Sequence, residues 1–464
     1  MPDPTAPFRE RSTVLAWLYV AVAVLLAAGL LAVLLVLGRM PPFDRLVTDP
    51  DWFRRCLAVH VVLALVLWFQ SFAAVLMLAL PAHPRRAVLA RVGAGLAAFG
   101  TVALIGSAWL PGTEAVMSNY VPVLDHPIFG LGLAAFAAGM VAVALSRSLL
   151  PRDGEVLGMG LPAHVAPFLR AAIVAVLLAG LTLVGSRLNL TPGLETRAHY
   201  ELLFWGVGHV LQFVNALGLV VVALWLTTDL TGREPIRRRT ATWLAAVALL
   251  PWLVAPLLPM AGTWSATYRV GFTRLMQYAT LPVPLVVAWL CVRTLRAAAR
   301  DRAIRLRGDL RVRALGAAAV LTLLGLVLGA LIREANTVVP GHYHASIGAV
   351  TAAFMAAALV LLPRLGLGHA VDLQSRVARW QPAVYGAGQA VFALGFAVAG
   401  APRKVYGTEQ VGRDTLQTTG LVVMGVGGLV AVAGGIAFLV LFVRAVIRHH
   451  GLVTSPRCAT TTPL

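Results

Sequence analysis

Long apolar runs alternate with short polar breaks along the whole chain. Runs long enough to cross a bilayer fall at roughly 13–38, 55–80, 88–110, 127–147, 165–186, 200–228, 240–259, 272–295, 312–332, 342–363, 381–400 and 417–446. A helical crossing needs about 20 mostly apolar residues, so this pattern predicts an all-α, polytopic membrane protein of about twelve transmembrane helices. Proline, glycine and arginine fill the breaks, and no soluble stretch is long enough to bury a core of its own. Residues 1–464 therefore read as a single transmembrane domain. The first run is too long for a cleavable signal and no small-residue cleavage site follows it, so it reads as a first membrane helix.

Composition agrees. Hydrophobic residues make up 59% of the chain and charged residues 12%, where a soluble domain carries about one quarter charged residues. Too few polar groups exist to cover a water-facing surface, so lipid is the expected solvent. The net charge is +19, and every basic residue except Lys404 is arginine. That balance elsewhere suggests nucleic acid, but here the arginines sit in short loops between apolar runs, which is the positive-inside pattern. No nucleic-acid partner is expected.

The loop charges orient the chain. The second loop holds Arg85, Arg86 and Arg91, and the sixth holds Arg233, Arg237, Arg238 and Arg239. The eighth holds Arg293, Arg296, Arg300, Arg302, Arg305, Arg307, Arg311 and Arg313, whereas the third carries Glu114 and Asp125 and no basic residue. Even-numbered loops and both termini are expected to be cytoplasmic, in the cell's inner (plasma) membrane. The first loop, with Arg39, Arg45, Arg54 and Arg55, goes against this trend.

Ionisable residues inside a span are costly and point to function. His83, His126, His164, His199, His369, His449 and His450 lie in loops or at span ends, where a solvated side chain is expected. His60, His209, His342 and His344 differ, because they lie early in spans two, six and ten. These three spans run in the same direction, so at about 1.5 Å per residue all four imidazoles fall in the outer third of the bilayer. His342 and His344 are separated by about 200° around one helix, so they cannot share a metal but can serve two sites on opposite sides. Imidazole is a good ligand for iron and copper, and facing helices build such sites inside bundles. Pairing His60 with one member of the couple gives a bis-imidazole haem, and the other member then faces His209. Cys56, Cys291 and Cys458 form no CxxC or CxxCH pattern, so no covalently attached c-type haem is expected.

The segment VVPGHYHASIGAV at 338–350 resembles the tenth helix of the haem–copper oxidase catalytic subunit, the superfamily of cytochrome c oxidases and nitric oxide reductases. His60 matches that family's low-spin haem ligand, FWGVGH at 204–209 resembles its sixth-helix metal motif, and APRKVY at 401–406 resembles its propionate-binding loop. The resemblance implies that His60 and His344 are axial to a low-spin haem. It implies that His342 is proximal to a high-spin haem, of b or a type. His209 would ligate a distal copper or non-haem iron, and Arg403 and Lys404 would neutralise haem propionates. Electrons would come from a partner subunit carrying a c-type haem or a copper centre, and would reduce O2 or NO.

The sequence also departs from the family. The stretch 259–278 holds no histidine where the family has two more metal ligands, which leaves Glu201, His199, Tyr268 and Tyr278 as substitutes. Phe213 stands four residues after His209, where oxidases carry tyrosine, and no catalytic residue is assigned. Two readings follow. One is a respiratory haem oxidoreductase resembling cytochrome c oxidase subunit I. The other is a degenerate paralogue that keeps its haems, lacks the distal copper, and relays electrons or binds a diatomic gas. A transporter with incidental histidines is a third reading, from another class.

Overall fold

A computed structural model describes residues 10–46, 49–152, 154–301, 308–333, 336–367, 372–401 and 413–454. Among these residues, 12 helices are long and apolar enough to cross a membrane. They are α1 Arg11–Leu37, α2 Pro50–Met77, α3 Ala87–Ser107, α4 Pro127–Ser146, α5 Ala163–Leu188 and α6 Thr196–Thr231. The second half comprises α7 Arg238–Ala261, α8 Ala266–Arg300, α9 Leu310–Ala330, α10 Val338–Leu367, α11 Arg376–Ala399 and α12 Thr415–His449. Between α3 and α4, the strands β1 Glu114–Val116 and β2 Val123–Asp125 form a short antiparallel hairpin.

Two helices start ahead of their apolar runs on a side-chain cap. The second run starts near residue 55, yet α2 starts at Pro50, because the Asp49 carboxylate accepts from Trp52 N at 3.0 Å and Pro50 is preset for a first turn. Likewise, Ser265 accepts from Tyr268 N at 3.1 Å and starts α8 ahead of its apolar run.

Three helices form the centre. In their most apolar stretches α10 is 89% buried and α2 and α6 are each 72% buried, against 28% for α7 and α9 and 22% for α8. These central helices are the three that carry the four histidines. Across the core, Gln70 of α2 donates to Asn215 of α6 at 2.9 Å, a polar link between helices that apolar contact alone does not hold in lipid.

Outer helices pair through glycines, because lipid gives no hydrophobic drive for helix association and close packing must supply it. A Cβ on Gly93 or Gly139 would lie 2.6 Å from the other residue's carbonyl, which locks α3 to α4. Gly388, Gly395, Gly420 and Gly427 play the same part for α11 and α12, where a Cβ on Gly427 would meet Phe392 N at 2.3 Å.

Far from the histidines, ion pairs tie helix ends together. Asp229 at the end of α6 accepts from Arg311 of α9 at 2.6 Å and from Arg364 of α10. Arg311 also holds Asp309 at 2.8 Å, and Arg364 donates to the Gly160 carbonyl at 2.9 Å. Glu155 accepts from Arg170 and, at 3.0 Å, from Arg238. His164 departs from the solvated expectation. It is fully buried at the start of α5, 3.4 Å from the Glu234 carboxylate and 3.3 Å from the Thr228 hydroxyl.

Gly427→Leu should lower the thermal unfolding midpoint by the equivalent of about 1–3 kcal/mol, the usual cost of overpacking. Gly435→Leu on the same helix should not, since nothing lies within 4 Å of its Cβ position. Burial pushes the Asp309 carboxyl up, but its hydrogen bonds to Arg311 outweigh burial and hold it below the usual carboxylate range. A depressed folded value contributes stability above the unfolded value and loses it as pH falls through the folded one. Unfolding midpoints measured on acidification should therefore fall less steeply in Asp309→Asn than in the unaltered chain.

Candidate functional site

Each candidate imidazole is oriented by what its Nδ1 touches. A helix carbonyl that already accepts its own backbone bond keeps a second lone pair, and a neighbouring imidazole can donate to it. His60 Nδ1 lies 2.9 Å from the Ala28 carbonyl of α1, and His342 Nδ1 lies 2.7 Å from the Gly325 carbonyl of α9. A carbonyl only accepts, so both Nδ1 atoms carry the proton and both Nε2 atoms present a lone pair. That is the tautomer in which imidazole ligates iron, with the carbonyl fixing the ring. Gly329 makes the His342 contact possible, because a Cβ there would sit 2.8 Å from His342 Nδ1.

His344 points away from His342, as their spacing requires. Its ring meets Phe392 edge-on at 4.6 Å and lies nearly parallel to Phe396 at 6.0 Å, both on α11. It lies within electrostatic reach of His60 and of Arg39. Arg39 is buried, 5% exposed, with its guanidinium 5.4 Å from the centre of the Phe396 ring. Arg39 belongs to the first loop, whose charges go against the orienting trend. Just inward of His60 the helix widens into a turn of π type at Leu63–Leu67, a feature frequent at functional sites. Arg403 and Lys404 lie outside the described residues.

His209 is held differently. Its Nδ1 lies 2.6 Å from its own helix's Trp205 carbonyl, and its Nε2 lies 2.8 Å from the Tyr120 hydroxyl. Tyr120 comes from the loop joining β1 and β2, in the left-handed region at φ 58°. Such a conformation costs a bulky residue about 1–3 kcal/mol and persists only when its surroundings enforce it. Asn119 provides part of that enforcement by donating from its backbone N at 2.8 Å and its side chain at 2.5 Å to the Glu201 carboxylate. Gly208 provides the room, since a Cβ there would lie 2.5 Å from Tyr120 Cβ. Burial first, and then the Glu201 carboxylate, push the Tyr120 phenol up, so it keeps its proton.

Of the residues named as substitutes for the missing histidines, Glu201 and Tyr268 are otherwise engaged. Glu201 is held by Asn119. The Tyr268 hydroxyl donates to the Leu202 carbonyl at 2.7 Å, accepts from Gly206 N at 3.0 Å and lies 2.9 Å from Ser186. Tyr278 is 73% exposed, and His199 packs edge-on against the Tyr200 ring. Phe213 stacks on Trp252 at 5.0 Å.

Two fits follow. The imidazoles of His60, His342 and His344 suit haem iron, because the first two present fixed lone pairs and the third lies near His60 among aromatic rings. A distal copper or non-haem iron does not suit the residues around His209. Both of its nitrogens are engaged, and among the described residues no three histidine, cysteine or carboxylate side chains converge to hold a metal. Tyr120 was missed in the sequence because it sits on a loop with no helical period. Its only hint was a tyrosine in the acidic third loop.

Two relatives are themselves uncharacterised. A protein of Rickettsia prowazekii is 23% identical over 489 aligned residues, covering 91% of this chain and 94% of that protein. Another, from Aquifex aeolicus, is 26% identical over 352 residues, covering 75% of this chain and 84% of that protein. Residues 12–430 match the family described as cytochrome c and quinol oxidase polypeptide I. Because that match runs through nearly the whole chain and the fold has the twelve long apolar helices, the chain belongs to that family, the catalytic-subunit family of haem–copper oxidases.

Proposed function

We propose that the chain is a two-haem oxidoreductase of the inner membrane, with both termini cytoplasmic. His60 and His344 would hold a low-spin haem as its axial pair, and His342 would be the protein ligand of a second haem. Haem supplies one-electron exchange and, where an axial position stays open, a place for O2 or NO. The observation that carries this reading is the pair of Nδ1-to-carbonyl contacts, from His60 to Ala28 and from His342 to Gly325. They leave a fixed lone pair on the Nε2 of each imidazole.

The chain's own residues do the rest. Phe392 and Phe396 keep water from His344, which strengthens electrostatics there. Arg39, with Arg403 and Lys404 of the outer loop, would neutralise haem propionates, a role that suits guanidinium geometry. The electron donor would be a partner subunit carrying a c-type haem or a copper centre, since this chain has no CxxCH. The engaged His209 favours the second form of the reading, in which haem relays electrons or binds a diatomic gas without a distal metal.

An optical spectrum of the dithionite-reduced protein, before and after carbon monoxide, tests this. Two haems should be seen, with one shifting. His60→Ala or His344→Ala should remove the low-spin bands and spare the shift, whereas His342→Ala should do the reverse. A colourless protein would defeat the reading and favour a transporter.

A subtler variant tests the His342 contact. Gly329→Ala should diminish the carbon monoxide response by crowding His342, while Gly316→Ala, with nothing within 4 Å on the same helix, should leave both haems intact. Equal spectra for both variants would remove the carbonyl contact from the account.

A further inference from the structure

His209 presents a question that the haems do not answer. The Trp205 carbonyl at its Nδ1 can only accept, so Nδ1 carries the proton and the lone pair sits on Nε2. The partner of that lone pair is the Tyr120 hydroxyl at 2.8 Å, which donates to it. A metal at His209 would need the same lone pair. The contact is also built from several directions. The Tyr120 ring covers the imidazole at 4.4 Å between centres, while Trp205 and Phe272 flank it at 4.8 and 5.7 Å. The hairpin loop is held from outside the pair, by Glu201 on Asn119 and by the Ser118 hydroxyl on the Val121 carbonyl at 2.6 Å. The glycine at 208 leaves the space that Tyr120 fills.

We propose that Tyr120 takes the place of a distal metal in this chain, closing His209 into a metal-free phenol–imidazole pair. The pair is neutral, with one O–H donated to one lone pair and the other imidazole nitrogen spent on the backbone. A diatomic molecule reaching His209 meets no metal and no free imidazole lone pair. His209 is thus a positioning residue for Tyr120 rather than a ligand. This inference does not require either haem to be bound as proposed above.

Two measurements on the full chain, purified with whatever haem it carries, decide it. Copper and iron are counted per chain against haem. Iron should equal haem, with copper at trace level, and one copper or one non-haem iron per chain overturns the proposal. The pair itself is read from unfolding equilibria. Tyr120→Phe should lower the folding constant about fivefold in the unaltered chain, the worth of one buried hydrogen bond. In a His209→Ala background, where the hydroxyl has lost its acceptor, it should lower the constant no further. An equal loss in both backgrounds overturns the pairing. Absence of haem would defeat the two-haem reading, yet the metal count and the paired variants would still decide this one.

Discussion

The arrangement depends on the grip of one helix's backbone carbonyl on the imidazole of the next. Inside a bilayer no water is at hand to satisfy a free ring nitrogen, and an unmade hydrogen bond there costs several kcal/mol by roughly the measure of an apolar solvent. A side chain reaches a neighbouring helix's carbonyl only where the two backbones run close, so the grip requires small residues beside it. Gly329 is the clearest case, because any Cβ there would collide with His342 Nδ1. Once the Nδ1 proton is spent in this way, tautomer and ring direction are both set. The chemistry left to the residue is whatever its Nε2 meets.

This logic divides the bundle along its length. His60, His209 and His342 lie in the N-terminal halves of the three most buried helices. The strong ion pairs, Asp229 with Arg311 and Arg364, lie at the other end, where α6 and α10 finish and α9 begins. Charges at the histidine end are fewer and are held in place: Asp44 pairs with Arg413, Glu201 accepts from Asn119, and the buried Arg39 lies within reach of His344.

Much of this was legible in the sequence. Hydropathy alone counted the helices, and the four histidines read as lying early in three spans fall on the three most buried helices. The two-residue spacing of His342 and His344 fixed their divergence, and the structure sends one toward α9 and the other toward α11. Helix ends moved where a cap such as Asp49 or Ser265 overrode the apolar pattern. The Tyr120 contact was beyond sequence reasoning. It joins positions 89 apart, one of them on an aperiodic loop in a left-handed conformation, and it depends on a missing side chain at Gly208. Periodicity reports which face of a helix is apolar, and it is silent on which loop residue folds down onto that face.

The stretch 259–278 can be read as a site that lost its ligands, but its surviving residues argue for a rebuilt wall. Tyr268 is buried with its hydroxyl satisfied three times, twice by the backbone of α6 on the turn that leads to His209. Phe272, one turn further on, packs against the His209 ring. Phe213 continues the apolar lining by stacking on Trp252. Simple loss of metal ligands would leave polar groups without partners around His209, each of them a standing cost. Around His209 the Tyr268 hydroxyl, the Gly206 amide and the Tyr120 hydroxyl each find a partner, while Thr182 Oγ1 and Trp252 Nε1 in the same wall are buried without one. The groups that touch His209 itself are therefore satisfied by protein alone, and Tyr120 closes the set from the opposite side.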